Sequence, residues 1–236
     1  MKEQERATLI ARVAEDLAHH QYTQLVNENG VEVWRCKQPG TRNYHFDICV
    51  TAYGISMFGD IDGLIWNVGT DYGINFLRHQ SDGYLHGKLE SDCKREVIDF
   101  DSIRETVCSC IVARIEEELD SDEIPGWMTS ITDDTTEAQA EELAEWMRER
   151  VRADDDRLPF DELIDVIEDV ERFADGRDSE IVLAYDFLQQ HEELIGGSDL
   201  WETRISKPCP NLMARLFYVR HAANAIMAIK EQAAAA

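Results

Sequence analysis

The chain is short of positive charge. Its 236 residues hold 23 Lys and Arg against 48 Asp and Glu, a formal net charge of −25. Proteins that hold DNA, RNA or an anionic membrane draw the phosphates in with Lys and Arg, so the average surface of this chain suits none of them. Several catalytic patterns are also missing: there is no Walker loop, no G-x-G-x-x-G, no G-x-S-x-G and no H-E-x-x-H. The six cysteines (Cys36, Cys49, Cys93, Cys108, Cys110 and Cys209) include no C-x-x-C pair, which favours reduced, mostly buried thiols over a disulfide framework or a zinc site. No window reaches the roughly 18 to 20 apolar residues of a membrane span. The opening MKEQERATLIARVAEDLAHH has acids where a secretory apolar region would sit, so a cytoplasmic protein without membrane partner or cofactor is expected.

What is present is a core and a localised charge. Hydrophobic residues make up 44% of the chain, ample for one or two globular domains. Residues 1 to 90 carry 8 basic and 12 acidic groups, residues 91 to 203 carry 10 and 35, and residues 204 to 236 carry 5 and 1. The middle segment therefore holds −25 between ends of −4 and +4, and a localised acidic region asks for a local explanation.

The pattern of elements predicts an α+β protein, an N-terminal antiparallel β-meander packed with helices and then an acidic all-α region, with domains at 1–124 and 125–236. An opening helix is expected over 3–27, with Ile10, Val13 and Leu17 at helical spacing and Asn29-Gly30 as its stop, followed by a strand from Val31 to Cys36. With Tyr53-Gly54 and Asp62-Gly63 as two-residue turns, Val50 faces Met57, Ile48 faces Gly59 and Gly59 faces Trp66 in a three-stranded meander. All residues of one face are then apolar or Gly, while His45, Asp47, Thr51, Ser56, Asp60 and Asn67 take the other. A short helix is expected at 71–80 and a short strand or loop at 84–89. A helix over 93–120, with Phe100, Ile103, Val107, Ile111 and Ile115, is expected to cover the apolar sheet face. Four amphipathic helices follow, at 136–152, 160–174, 179–194 and 211–230, a helical bundle or arm.

The acidic helices are the strongest functional signal. On 160–174 the apolar stripe leaves Asp161, Glu162, Asp165, Glu168 and Asp169 outside, like charges at i, i+3, i+4 and i+7 that cost a few tenths of a kcal/mol per pair. Stability alone favours interleaved Lys or Arg. Nearby lie Glu116, Glu117 and Glu118, then Asp133 and Asp134, Glu141, Glu142, Glu145 and Glu149, and the run Asp154, Asp155, Asp156. Rows of carboxylates on a rigid scaffold imitate a phosphate track, which along each strand carries one charge about every 3.4 Å. Catalytic readings are weaker. Asp60 and Asp62 sit in a hairpin turn without EF-hand order, and His45 with Asp47 forms a polar strand face rather than an acid/base pair.

The stretch Trp34-Arg35-Cys36-Lys37-Gln38-Pro39-Gly40-Thr41, then Phe46-Asp47-Ile48, Gly54-Ile55 and Gly59-Asp60, with Tyr84 and Lys88 downstream, resembles a group of small accessory proteins of tailed bacteriophages over residues 30 to 90. The group is largely of unassigned activity. The resemblance implies a phage origin and the cytoplasm of an infected bacterium, and brings no catalytic residue with it.

Together these readings lead to a non-enzymatic counter-defence inhibitor. It is expected to bind a bacterial immune complex, CRISPR-Cas, restriction enzyme or defence nuclease, and to block its basic nucleic-acid groove with acidic helices. The expected contact charges are Glu116, Glu117, Asp161, Asp165, Glu168 and Asp169, with Asp154, Asp155 and Asp156 as secondary candidates. The alternative is an oligomerising scaffold in which the basic tail (Arg204, Lys207, Arg215, Arg220) pairs with the acidic region of another copy, giving a homodimer. A metal-dependent hydrolase around Asp60 is the minor alternative.

Overall fold

The computed structural model describes residues 3–69, 72–131, 135–175, 181–197, 200 and 203–235, with backbone only at 172–175. Asp133 and Asp134 lie outside the described residues. The protein is of the α+β class. In chain order it runs α1 (Glu3–Asp16), β1 (Gln21–Glu28), β2 (Val31–Lys37), β3 (Phe46–Thr51), β4 (Gly54–Gly59), β5 (Leu64–Trp66), α2 (Asn75–His79) and α3 (Asp82–Gly87). Then come β6 (Glu96–Ile98), α4 (Phe100–Glu118), α5 (Glu137–Arg152), α6 (Phe160–Asp175), α7 (Ile181–Ile195), β7 (Ser206–Pro208) and α8 (Pro210–Ala235). No helix among the described residues is long and apolar enough to cross a membrane.

Two compact units form, and their boundaries correct the expected 1–124 and 125–236. One unit is Met1–Arg95 together with Pro208–Ala236, and the other is Glu96–Lys207. The second unit carries 34 acidic and 10 basic residues, net −24, leaving 14 and 13, net −1, for the first.

The first unit is built on a five-stranded antiparallel meander in the order β1-β2-β3-β4-β5. Residues 21–28, expected to continue the first helix, form β1 instead. Asn29 (φ 52) and Gly30 (φ 77) both take the left-handed conformation that a tight hairpin needs, so this pair joins two strands rather than stopping a helix. β3 and β4 pair with Thr51 opposite Gly54 and Val50 opposite Ile55, which makes Ala52-Tyr53 the turn and moves the expected register by two residues. β4 and β5 pair with Ile55 opposite Trp66 and Met57 opposite Leu64, a move of four. Even shifts leave every side chain on its expected face, so Phe46, Ile48, Val50, Ile55, Met57, Leu64 and Trp66 are all buried. Gly59 stands opposite Phe46, not Trp66. A Cβ there would collide with the His45 carbonyl oxygen and the Phe46 Cα, at a φ of 155° that L side chains rarely adopt.

The helix that covers this face is α8, not α4. Leu212, Leu216, Val219, Ala223 and Ile226 of α8 join the sheet residues and Val13 and Leu17 of α1 in one core. Residues 84–89, expected as strand or loop, mostly form α3: the Ser81 hydroxyl accepts the Tyr84 N–H at 3.2 Å as its N-cap, and Leu89 keeps only a single bridge to Trp66. The Trp66 indole N–H donates to the Leu85 carbonyl at 3.0 Å, so its one polar atom is satisfied within the core.

The second unit has its own core. Ile103, Val107, Ile111 and Ile115 of α4 pack with Leu143 and Met147 of α5, Leu163, Ile167 and Val170 of α6 and Ala184 and Leu188 of α7. β6 and β7 add a two-stranded ladder.

Candidate functional site

The acidic helices take their bounds from local chemistry. α5 begins with a reciprocal cap: the Gln139 N–H donates to the Thr136 hydroxyl at 3.3 Å and the Thr136 N–H donates to Gln139 Oε1 at 3.0 Å. It ends with Asp154 in the left-handed conformation (φ 59) and the Asp155 N–H donating to the Arg150 carbonyl at 3.1 Å. Asp154 thus fills the terminating position usually given to Gly. Pro159 precedes α6, with the Leu163 N–H donating to its carbonyl at 3.1 Å. Leu163, Ile164, Val166, Ile167 and Val170 of α6 turn inward, which leaves Asp161, Glu162 and Asp165 exposed and Glu168 and Asp169 half-buried.

The cations that a single helix lacks arrive from its neighbours. Arg148 of α5 donates to Glu141 (2.8 Å) and Glu145 (3.1 Å) on its own helix and to Glu168 of α6 (3.0 Å). Arg152 donates to Glu145 at 3.0 Å. Arg157 grips Glu123 at 2.7 and 2.9 Å and Asp155 at 2.8 and 3.0 Å, with Arg150 3.4 Å from Glu123 and 3.6 Å from Asp155. Deeper in, Arg104 of α4 donates from Nε (2.5 Å) and Nη2 (2.8 Å) to the two oxygens of Glu171 on α6. The Arg157 hydrogen bonds hold both the Glu123 and the Asp155 carboxyl down to about 2. Burial next to this array pushes the Cys108 thiol up to about 12, an inert protonated sulfur.

This arrangement sorts the expected contact charges. Asp155, with only 10% of its side chain exposed, folds back onto two guanidiniums in an internal ion pair. Glu168 is drawn into the Arg148 bridge. Glu116 and Glu117 are exposed at the end of α4, and Asp154 and Asp156 are exposed after α5. Asp161 and Asp165 lie one turn apart on α6, and neither meets a cation among the described residues. The arginine bridges between α5 and α6 were not legible in the sequence, since they depend on which helices become neighbours. The Glu145–Arg148 and Asp101–Arg104 pairs, each three residues apart on one helix, were open to a spacing argument.

The other candidates resolve in the first unit. Asp60 Oδ2 accepts the Tyr44 N–H at 3.0 Å, and Arg35 grips Asp47 through Nε (3.0 Å) and Nη2 (2.8 Å). Among the described residues no group of three His, Cys, Asp or Glu stands close enough to hold a metal ion. Comparison of the chain with protein-family models, with curated proteins and with solved structures gives no match.

Proposed function

We propose that the protein is a non-enzymatic inhibitor whose acidic unit occupies a basic, nucleic-acid-binding surface of another protein. The observation that carries this reading is the segregation of charge: −24 on one compact unit beside −1 on the other. Within the acidic unit the arginines bridge carboxylates where helices meet, while Glu116, Glu117, Asp161 and Asp165 remain solvated. Carboxylates outside the bridges weaken the unit slightly and strengthen any encounter with a positive groove, raising its on-rate and its salt dependence. The resemblance of residues 30–90 to tailed-phage accessory proteins supports a bacterial defence complex as the target: a CRISPR-Cas assembly, a restriction enzyme or a defence nuclease.

The scaffold reading is less favoured because the basic tail is already engaged within its own chain. Arg204 pairs with Glu96 (3.7 Å), Lys207 with Asp99 (2.8 Å), Arg215 with Asp62 (2.8 Å) and Arg220 with Asp82. Little of it is left for a second copy.

The test is capture of partners from bacterial lysate on the immobilised full chain, eluted by a salt gradient, with the quadruple variant Glu116→Lys, Glu117→Lys, Asp161→Lys, Asp165→Lys alongside. The variant should keep the wild-type denaturation midpoint, lose the captured nuclease or surveillance complex and fail to inhibit it. A partner that is retained and elutes at the same salt concentration refutes the proposal.

A further inference from the structure

The outer face of the first unit's sheet carries a concavity that the acidic reading does not use. It is shallow and open to solvent, about 340 Å³ in volume. Cross-strand register builds its floor: Arg35 of β2 stands opposite Asp47 of β3, which stands opposite Phe58 of β4, so the three side chains form one row. Arg42 and His45 from the β2–β3 loop and Asp60 after β4 complete the wall. Phe58 is 54% exposed, a large aromatic ring left facing the concavity.

The loop is held ready. Tyr44 sits in the left-handed region at φ 52, a conformation that costs a bulky residue energy. It is fixed from both sides: its N–H donates to Asp60 Oδ2 at 3.0 Å, and the Asp60 N–H donates to the His45 carbonyl at 2.7 Å. Arg42 is thereby placed at the rim. Among the arginines whose side chains are described it is the one that makes neither an ion pair nor a hydrogen bond. His45 Nε2 lies 3.8 Å from Asp47 Oδ1, too far for a hydrogen bond, so the imidazole keeps its donor for another group. Arg35 spends Nε and Nη2 on Asp47 and retains Nη1.

We propose that this concavity binds a small ligand joining an oxyanion to a planar ring, by chemistry a nucleoside monophosphate. The phosphate meets Arg42, His45 and the remaining Arg35 nitrogen, and the base lies against the Phe58 ring. Asp60 keeps its second oxygen as an acceptor for an amino or hydroxyl group of the ligand. Within the lining Arg35 and Arg42 balance Asp47 and Asp60, and the unit as a whole is close to neutral, unlike the acidic unit.

The experiment is calorimetric titration of the full chain, at about 0.15 M salt to limit long-range repulsion, with AMP, GMP, CMP and UMP and with adenosine and inorganic phosphate as controls. At least one mononucleotide should saturate at one per chain and bind about tenfold or more tightly than inorganic phosphate or adenosine. Arg42→Ala should weaken it about tenfold, as expected for a lost charge-assisted hydrogen bond, and Phe58→Ala about fivefold or more. Arg12→Ala, which alters an exposed cation on α1, should change nothing. The proposal is overturned if no mononucleotide saturates by about 10 mM, if inorganic phosphate binds equally well, or if Arg42→Ala leaves the affinity unchanged.

Discussion

Arg104 offers the sharpest test of how an acidic bundle holds itself together. Its side chain is 9% exposed, and its two-point grip on Glu171 ties α4 to α6 across the core of the second unit. Removing one partner of a fully buried ion pair costs about 3–5 kcal/mol, because the remaining charge is stranded. Glu171 is 28% exposed and recovers part of its hydration, so Arg104→Ala should cost about 2–3 kcal/mol. Urea unfolding followed by circular dichroism measures it. With m near ~1–3 kcal/mol/M, the midpoint of the second unit's transition should fall by roughly 1–2 M. Glu171→Ala should cost less, since Arg104 keeps Asp101 at 3.0 Å. The cycle Arg104→Ala, Glu171→Ala and the double variant should return a coupling of about 1–2 kcal/mol. The Arg152–Glu145 pair, half or more exposed on both sides, should return under ~0.5 kcal/mol. A loss below ~0.5 kcal/mol for Arg104→Ala, or no coupling in the cycle, would show that the arginines decorate the bundle rather than bind it.

Two further outcomes follow from local geometry. Gly59→Ala places a Cβ against the His45 carbonyl and the Phe46 Cα at φ 155, so it should lower the urea midpoint of the first unit by the equivalent of about 2–3 kcal/mol; a wild-type midpoint refutes the register. Glu123 and Asp155 are held down by Arg157, so the stability they supply is present above their ordinary values of 4.5 and 3.8 and is lost as pH falls toward about 2. Acid titration should therefore weaken the wild-type second unit over that window, and Arg157→Ala should flatten the slope; an unchanged slope refutes the assignment.

Much of the fold was legible because it rests on periodicity. The inward set of α8, Leu212, Leu216, Val219, Ala223 and Ile226, follows from spacing alone, and so does the sheet's division into faces. Partner choice does not. α4 and α8 both carry apolar stripes, and nothing in either stripe says which one meets the sheet and which meets α6. Residues 21–28 were ambiguous because Tyr22, Leu25 and Val26 satisfy a helical spacing as well as a strand. The strand register escaped by even steps because the apolar pattern repeats every two residues and tolerates a slip of two or four without exposing a core side chain. At the acidic face, exposure of Asp161 and Asp165 was readable, but the withdrawal of Asp155 required knowing that Arg150 and Arg157 converge on it.

The acidic unit is an insertion in the sheet unit, and this explains how the chain tolerates so uneven a charge. The chain leaves the first unit after Arg95 and returns at Pro208, and the Cys209 N–H donates to the Arg95 carbonyl at 2.9 Å, so the two ends of the insertion stand side by side. The first unit recovers its covering helix from beyond the insertion, and among the described residues its core draws none from between. Repulsion among 34 carboxylates is thus confined to a unit with a separate core, whose arginines bridge acids that packing brings together, as Arg148 does between α5 and α6 and Arg104 between α4 and α6. Outside those bridges, carboxylates one helical turn apart repel by only a few tenths of a kcal/mol in water, a cost the packed helices absorb.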